Sequence, residues 1–200
     1  RAAVVGDPNQ LKHVSKMTAQ KDSLTRKKYN LKELDDLIYS YRSTSLYEFF
    51  QNTSSVVPHK LKETYRSTFE IAEYSNNVFY DGILRVATNE EALKTPKGTK
   101  PGFHWTDVSG PVVSAGRSGC VSENEVEEIY KLVKSILVGN NFKGTLGVVT
   151  PFRQQQKRLH DRIYDSDIPF ENLENSEFIA ETAHNFQGDE KDVMIFSLCA

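Results

Sequence analysis

The chain has 200 residues, of which 38% are hydrophobic, and its 25 lysines and arginines against 27 aspartates and glutamates give a formal net charge of −2. This length suffices for a buried core and one or two domains, and the near-neutral charge excludes the global basic field of many nucleic-acid-binding domains. No apolar run approaches the ~20 residues of a membrane span, and the first residues lack the basic-then-apolar pattern of a signal peptide. The distant Cys120 and Cys199 indicate neither a zinc site nor a disulfide framework, so we expect a soluble, cytoplasmic protein.

The first quarter of the chain is predicted to contain a strand, a basic connector and a short helix. The apolar run Ala2–Val5 indicates a buried strand that delivers Asp7 and Gln10 to a loop at its C-terminal end. Residues 12–32 are rich in lysine and arginine and poor in large apolar side chains, which is typical of an exposed and partly mobile connector. A short helix at Leu46–Phe50 is expected to close this part.

Two capping boxes mark the starts of helices in the middle of the chain. Ser67–Glu70 opens a helix that Gly82 stops, and its residues at helical spacing are Ile71, Ser75, Val78 and Phe79. Ser122–Glu125 opens a second helix, expected to lie against a sheet through Val126, Ile129, Val133, Ile136 and Leu137. Between the two helices we expect a strand at Phe103–Val108 and a loop at 111–119.

The last third of the chain alternates strands and helices. Thr145–Val149 is predicted to be a buried strand and Phe152–Tyr164 an amphipathic helix. Phe178–Thr182 and Val193–Leu198 are predicted to be strands, the second buried on both faces, joined by a polar loop in which Gly188 permits a left-handed turn. This alternation predicts an α/β fold with a mainly parallel sheet flanked by helices, and such sheets bind ligands at loops of this kind.

Four segments of the chain occur in the order found in superfamily one helicases. Val5–Leu11 resembles motif III, Leu61–Ser67 resembles motif IV, Gly147–Gln155 resembles the segment before motif V, and Thr182–Asp192 resembles motif V. The resemblance covers nearly the whole chain and is to the branch that contains the nonsense-decay and replication helicases.

The resemblance implies RecA-like domains of the P-loop NTPase type. Residues 1–58 would be the tail of a first domain, with motif III and the connector, and residues 59–200 a second domain that is incomplete at its C-terminus. The chain begins at Arg1 without an initiator methionine and contains no Gly-Lys pair, so the phosphate loop and the acids that hold magnesium are expected upstream. The cofactors implied are ATP and Mg²⁺. A further arginine, in motif VI, is expected beyond Ala200, and this chain alone is expected not to hydrolyse ATP.

The resemblance also assigns a set of residues to the nucleotide. Arg66 resembles the arginine finger of the family and Gln10 the residue that senses the γ-phosphate, so both are predicted to be catalytic. Asp7 is implied to couple this site to nucleic acid, and Glu190 to contact the ribose. The cofactor-binding set is completed by two residues that shape the motif V loop, Gln187 and Gly188.

Two loops are expected to hold single-stranded DNA or RNA. In this family the contacts fall mainly on backbone phosphates, which makes binding independent of base sequence and sensitive to salt. The residues that match these loops are Thr150, Pro151, Arg153, Thr182 and His184. The other expected partner is the upstream RecA-like domain of the same protein.

Simpler roles are open for several of these residues when each is considered alone. Arg66 could pair with a nearby acid such as Glu63, and Glu190 with Lys191 or another neighbour, as ordinary surface ion pairs. His184 could be a buried histidine bonded to a backbone carbonyl. In the helix predicted at Phe152–Tyr164, three basic residues are expected to form a solvated face rather than a track for nucleic acid: Lys157, Arg158 and Arg162.

The function implied is that of an ATP-dependent helicase or translocase. ATP would close a cleft between two RecA-like domains and hydrolysis would reopen it, with 5′ to 3′ travel favoured by the resemblance. A rival hypothesis is a docking module that keeps the fold but has lost its motor. A second rival is a metal-dependent nuclease built from His184 and Asp189–Lys191, although the usual acid, acid-x-lysine arrangement is not reproduced.

Overall fold

The computed structural model describes residues 3–11, 14–31, 39–53, 57–116 and 119–199. The chain forms two compact units, Arg1–Leu61 and Lys62–Ala200. In the first unit, helix α1 spans Ala19–Lys28 and helix α2 spans Leu46–Thr53. In the second unit the order is β1 (Glu63–Thr64), α3 (Phe69–Phe79), β2 (Arg85–Val86), a 3-10 turn (Glu90–Ala92), β3 (Val113–Ser114), β4 (Cys120–Val121), α4 (Glu123–Lys134), a π turn (Ser135–Gly139), β5 (Leu146–Thr150), α5 (Arg153–Tyr164), α6 (Phe170–Asn175), β6 (Ile179–Thr182) and β7 (Val193–Phe196).

The basic connector contains a helix that was not predicted. Thr18 caps α1 by accepting a hydrogen bond from the Lys21 amide at 3.2 Å, and the last turn carries three cations that complement the helix dipole, Arg26, Lys27 and Lys28. None of the residues of α1 is buried, so the predicted exposure of this segment is confirmed. A helix could form here because caps and end charges do not require an apolar stripe.

The predicted strand at Ala2–Val5 is wrong for the residues that the structure describes, 3–5. They form no strand, and the Val5 side chain is 89% exposed. An apolar run becomes a strand only when a neighbouring strand pairs with it, and the described residues of the first unit contain none.

The predicted helix at Leu46–Phe50 is confirmed. A capping box that the sequence reading missed opens it. The Ser45 amide donates to the Glu48 carboxylate at 2.8 Å, and the Glu48 amide donates to the Ser45 hydroxyl at 3.1 Å.

A parallel three-stranded sheet forms the centre of the second unit. The strand order is β6-β5-β7, and Val148 of β5 lies beside Ala180 of β6 and Ile195 of β7. All five residues of β5 are buried. The predicted apolar face of α4 and the adjoining π turn lies in the core, together with Leu159 and Ile163 of α5. The predicted α/β arrangement, with a parallel sheet and flanking helices, is therefore confirmed.

Strand β7 is less buried than its apolar sequence predicts. Its first three residues are half-buried and Phe196 is 65% exposed. Among the described residues, β7 pairs only with β5 and so has one uncovered edge. At the opposite side of the sheet, the carbonyls of Phe178 and Ala180 accept hydrogen bonds from the side chains of Tyr164 (3.2 Å) and Gln156 (2.8 Å) of α5.

The segment between motif IV and α4 differs most from expectation. Helix α3 begins after Thr68, whose side chain makes no capping bond, and Glu70 accepts from the Phe103 amide at 3.2 Å instead of completing a box. Gly82, with φ of +69°, donates to the Asn76 carbonyl at 3.0 Å and so ends the helix as predicted. Residues 103–108 form no strand, and the expected loop 111–119 contains β3, which pairs antiparallel with β4.

Candidate functional site

Motifs IV and V meet through Arg66 and Glu190. The Arg66 Nε atom lies 2.8 Å from Glu190 Oε2, and the Arg66 Nη2 atom donates to the Gly188 carbonyl at 3.5 Å. The two side chains are 55% and 70% exposed, although the residues are 124 positions apart in the chain. The fold therefore brings a planar cation and a carboxylate together at a surface that a ligand can reach.

The alternative partner of Arg66, Glu63, is engaged elsewhere. Glu63 pairs with Arg85 at 2.8 Å, across the parallel β1–β2 contact in which these two residues are register partners. Its carboxylate also accepts a hydrogen bond from the Tyr65 hydroxyl, which raises the pKa of Tyr65 above its usual value. Glu63 is therefore not the partner of Arg66, but the exposed ion pair that the simpler reading expects is present, with Glu190 as the acid.

The motif V loop is an ordered turn built around Phe186. Residues 183–188 form successive turns, and the amides of Asn185 and Phe186 both donate to the Thr182 carbonyl, at 2.9 and 3.0 Å. The Phe186 ring is 7% exposed and packs on Gly147 of β5, where an added Cβ would lie 2.6 Å from the ring. The sequence reading assigned no role to Phe186, yet a lone aromatic residue in a polar loop is a signal for such an anchor.

The loop backbone at Gly188 requires a residue that accepts positive φ. Its φ is +94°, in the region that glycine adopts without strain, and no atom lies within 4 Å of the place where a Cβ would stand. The predicted left-handed turn is confirmed, and conformation rather than space is the reason for glycine here. Gln187 and Glu190 are both exposed on this turn.

Lys191 pairs with an acid other than Glu190. Its ammonium group lies 3.1 Å from Glu177 Oε2, and its side chain is 9% exposed. Lys191 is therefore not the partner of Glu190, whose surface ion pair is formed with Arg66 instead. The Lys191 ammonium is thus engaged in an ion pair that the nuclease hypothesis does not use. Asp192, at the end of the loop, accepts a hydrogen bond from the Thr145 amide at 2.7 Å.

The residues matched to nucleic-acid contact lie at the carboxyl end of the parallel sheet. Thr150 and Thr182 are register partners at the ends of β5 and β6. Pro151, Arg153 and His184 are exposed, so the reading of His184 as a buried histidine is wrong. Thr182 is half-buried, and Thr150 is 2% exposed with its hydroxyl accepting from the Phe152 amide at 3.4 Å.

Asp7 and Gln10 form a compact turn in the first unit. The Asp7 carboxylate accepts from the Asn9 amide and from the Gln10 side-chain amide, both at 3.0 Å. Asp7 is half-buried and Gln10 is exposed. The two motif III residues are thus brought together, and Asp7 orients the Gln10 side chain.

The basic face of α5 is occupied by acids of α4. Arg158 bonds Glu123 through two nitrogens, each at 2.8 Å, and Arg162 bonds Glu127 at 2.5 and 2.9 Å. These guanidinium groups lower the pKa of Glu123 and of Glu127, and Arg162 also stacks 3.5 Å from the centre of the Tyr130 ring. Arg158 and Arg162 thus form ion pairs between two helices rather than the solvated face that was expected, and the absence of a nucleic-acid track on this face stays a prediction.

Gln155 is a site residue that sequence reasoning missed. Its side chain is 0% exposed, accepts from the Ser122 amide at 2.9 Å and donates to Ser197 Oγ at 2.9 Å. Ser197 in turn donates to Glu125 at 2.7 Å. The network ties the first turn of α5 to the start of α4 and to the residue after β7. The signal was a glutamine at the apolar spacing of Leu159 and Ile163 on α5.

The donors at Arg66 and Glu190 fit the polar groups of a nucleotide. A guanidinium donates to phosphate oxygens, and a carboxylate accepts from ribose hydroxyls. Among the described residues, no three histidine, cysteine, aspartate or glutamate side chains are placed to hold a metal ion. Within that part of the chain, no helix is long and apolar enough to cross a membrane.

Comparison with known proteins identifies the family. A family model described as an AAA domain matches residues 42–200. The chain belongs to this family. It is 29% identical over 146 residues to Regulator of nonsense transcripts 1 of Caenorhabditis elegans, a match that covers 69% of this chain and 14% of the relative. It is 29% identical over 207 residues to Helicase sen1 of Schizosaccharomyces pombe, covering 98% of this chain and 11% of the relative.

A third relative, ATP-dependent helicase upf1 of Schizosaccharomyces pombe, is 25% identical over 152 residues, which is 70% of this chain and 16% of the relative. The chain therefore spans about a tenth to a sixth of the length of these relatives. The resemblance to superfamily one helicases is confirmed, and so is a RecA-like fold of the P-loop NTPase type.

Proposed function

We propose that this chain is part of the motor of an ATP-dependent helicase or translocase that moves on single-stranded DNA or RNA. The single observation that carries the proposal is the contact of Arg66 with Glu190 and Gly188, because it joins motif IV to motif V at an exposed surface. In this proposal residues 1–58 are the tail of a first RecA-like domain and residues 59–200 most of a second. The parent enzyme is an ATP-dependent helicase, as the name of one relative states for that relative.

In the proposed site, this chain supplies charged and polar groups that complement ATP. Arg66 donates toward the terminal phosphate and Glu190 accepts from the ribose, while Gln187 and Gly188 set the shape of the loop. Gln10, oriented by Asp7, senses the γ-phosphate from the first domain. The phosphate cradle and the ligands of Mg²⁺ are proposed to lie upstream, so this chain alone does not turn over ATP.

The proposed strand-binding surface is the carboxyl end of the sheet. Pro151, Arg153 and His184 are exposed there and can reach a phosphate backbone, and Thr182 stands at the end of β6 as the register partner of Thr150. Thr150 would act through its backbone and its place in the loop, because its hydroxyl is buried. Contacts of this kind hold a strand irrespective of base sequence.

The remaining parts of the proposal concern context. The upstream RecA-like domain of the same protein is the proposed partner, and travel is proposed to run 5′ to 3′. A cytoplasmic setting fits the two cysteines, which are both free thiols.

The test is movement of the longer parent protein on single-stranded DNA and RNA. With ATP, the parent should displace a streptavidin block from the 3′ end of a biotinylated strand and not from the 5′ end, and a non-hydrolysable ATP analogue should abolish displacement. The 200-residue chain, assayed alongside, should release no phosphate above background. Strand binding by the parent without ATP-dependent displacement or phosphate release would show the docking module instead.

A further inference from the structure

A cavity of about 310 Å³ lies in the second unit, between the end of α5, helix α6 and the loop before β7. Its apolar wall includes the rings of Tyr164, Phe170 and Phe178. The Phe178 side chain is buried, whereas Phe170 is 67% exposed and Tyr164 is 38% exposed. Exposed aromatic faces beside a concave surface are the usual anchors of recognition.

The charges at the rim of this cavity are mainly negative. Its lining includes the carboxylates of Glu174, Glu177 and Asp189 and a single cation, Lys191. Lys191 is already paired with Glu177 at 3.1 Å. In the part of the chain that the structure describes, Glu174 and Asp189 form no ion pair within 4.0 Å, so two carboxylates remain uncompensated.

A cavity with aromatic walls and uncompensated carboxylates repels phosphate and attracts a flat cation. A guanidinium group stacks on aromatic rings and bonds a carboxylate through two parallel donors, which a lysine ammonium cannot reproduce. The volume is at the lower end of the range for ligand sites and is large enough for one arginine side chain. We propose that this cavity binds the arginine side chain of a partner protein.

This site differs from the proposed nucleotide and nucleic-acid surfaces and does not rest on them. Glu174 and Phe170 belong to α6, which carries none of the residues matched to helicase motifs. A partner bound there would also touch Asp189 and Lys191, on either side of Glu190 in the motif V loop. Arginine recognition can therefore be measured without any readout of ATP turnover.

The test is an NMR titration of the isotope-labelled chain with the peptides Gly-Arg-Gly and Gly-citrulline-Gly. Citrulline has the shape of arginine but no charge. The arginine peptide should cause saturable shifts of the amides of residues 170–179 and 189–191, and the citrulline peptide should bind at least several-fold more weakly. Equal binding of the two peptides would overturn the proposal, and so would stronger shifts of the same amides by a single-stranded RNA oligonucleotide.

Matched variants locate the site. Glu174→Gln and Phe170→Ala should each weaken binding of the arginine peptide by about two- to fivefold, as expected for an exposed ion pair or an exposed cation–π contact. Glu171→Gln, on the same helix but outside the cavity, and Phe103→Ala, at a second exposed aromatic residue, should leave it unchanged. Unaltered binding in both Glu174→Gln and Phe170→Ala, with their spectra otherwise native, would also overturn the proposal.

Discussion

Arg66 and Glu190 form an ion pair that a ligand can separate at small cost. Both side chains are more than half exposed, and exposed pairs of this kind contribute only about 0 to 1 kcal/mol. Each group is therefore available when a nucleotide provides a stronger partner, phosphate oxygens for the guanidinium and hydroxyls for the carboxylate. The ion pair therefore keeps both groups at one site, and a ligand can displace either partner.

A ribose contact at Glu190 predicts a specific pattern of nucleotide preference in the parent protein. Glu190→Ala should remove an acceptor for the sugar hydroxyls, so wild type should prefer ATP over 2′,3′-dideoxy-ATP by about tenfold and the variant should lose this preference. Equilibrium binding of the two nucleotides measures it, and Glu171→Ala is the control at another exposed glutamate. A variant that keeps the full preference would place the ribose elsewhere.

The two cysteines should differ sharply in reactivity. Burial, together with a hydrogen bond to Cys120, raises the pKa of the Cys199 thiol to about 12, whereas Cys120 is only half-buried. Because the thiolate is the reactive form and a raised pKa lowers its fraction, Cys199 should stay unmodified at pH 8 in the folded chain. Alkylation with iodoacetamide followed by peptide mass spectrometry should find label on Cys120. Equal labelling of both residues would show that the segment after β7 is open.

At the scale of elements, periodicity predicted the centre of the second unit well. Helix α4, strand β5 and helix α5 have apolar positions at the correct spacing, and those positions form the core. The elements that were missed or wrongly predicted depend on partners that are distant in the sequence. The two-residue strands β1 to β4 have no local pattern. The segments near Val5 and Phe103 form no strand, because no strand of the described residues lies beside them.

The contact between β5 and the motif V loop gives a prediction about stability. Gly147→Ala would place a Cβ 2.6 Å from the Phe186 ring and 3.0 Å from the Met194 sulfur, in the central strand of the sheet. Such overpacking should lower the free energy of unfolding by about 1–3 kcal/mol. Urea denaturation of the chain measures the change.

The control for this variant is Gly139→Ala, where the nearest atom to an added Cβ lies 3.8 Å away and the contact is ordinary. This substitution should be neutral or slightly stabilising. Equal stability of Gly147→Ala and wild type would mean that Phe186 does not anchor the loop at β5.

For the whole molecule, the order of the motifs was more informative than any one of them. It predicted that Arg66 and Glu190 serve one site, although nothing in the spacing shows that they touch. The sequence could not show the partners of Lys191, Glu63 or Gln155, because each is set by three-dimensional neighbours rather than by chain position. Buried polar networks of this kind follow from the fold and leave only a faint trace in a hydrophobic pattern.

Strand binding by the parent should depend strongly on salt. The net charge of this chain is −2, so any attraction to nucleic acid must come from local contacts such as Arg153 with backbone phosphates. Fluorescence anisotropy with a labelled oligonucleotide should show affinity that falls steeply between low and high salt and changes little with base sequence. Affinity that is constant across this range would indicate an apolar or base-reading surface.

The most direct measurement compares single-turnover ATP hydrolysis with equilibrium ATP binding for wild type and Arg66→Ala in the parent protein. Arg66 is expected to act mainly on the transition state, so hydrolysis should fall by about 10³- to 10⁵-fold while binding weakens far less. Arg66→Lys should behave similarly, because an ammonium cannot copy the planar fork, and Arg158→Ala should retain wild-type turnover. Hydrolysis by Arg66→Ala at near wild-type rate would make Arg66 an ordinary surface arginine and would contradict the assignment of motif IV to the catalytic cleft.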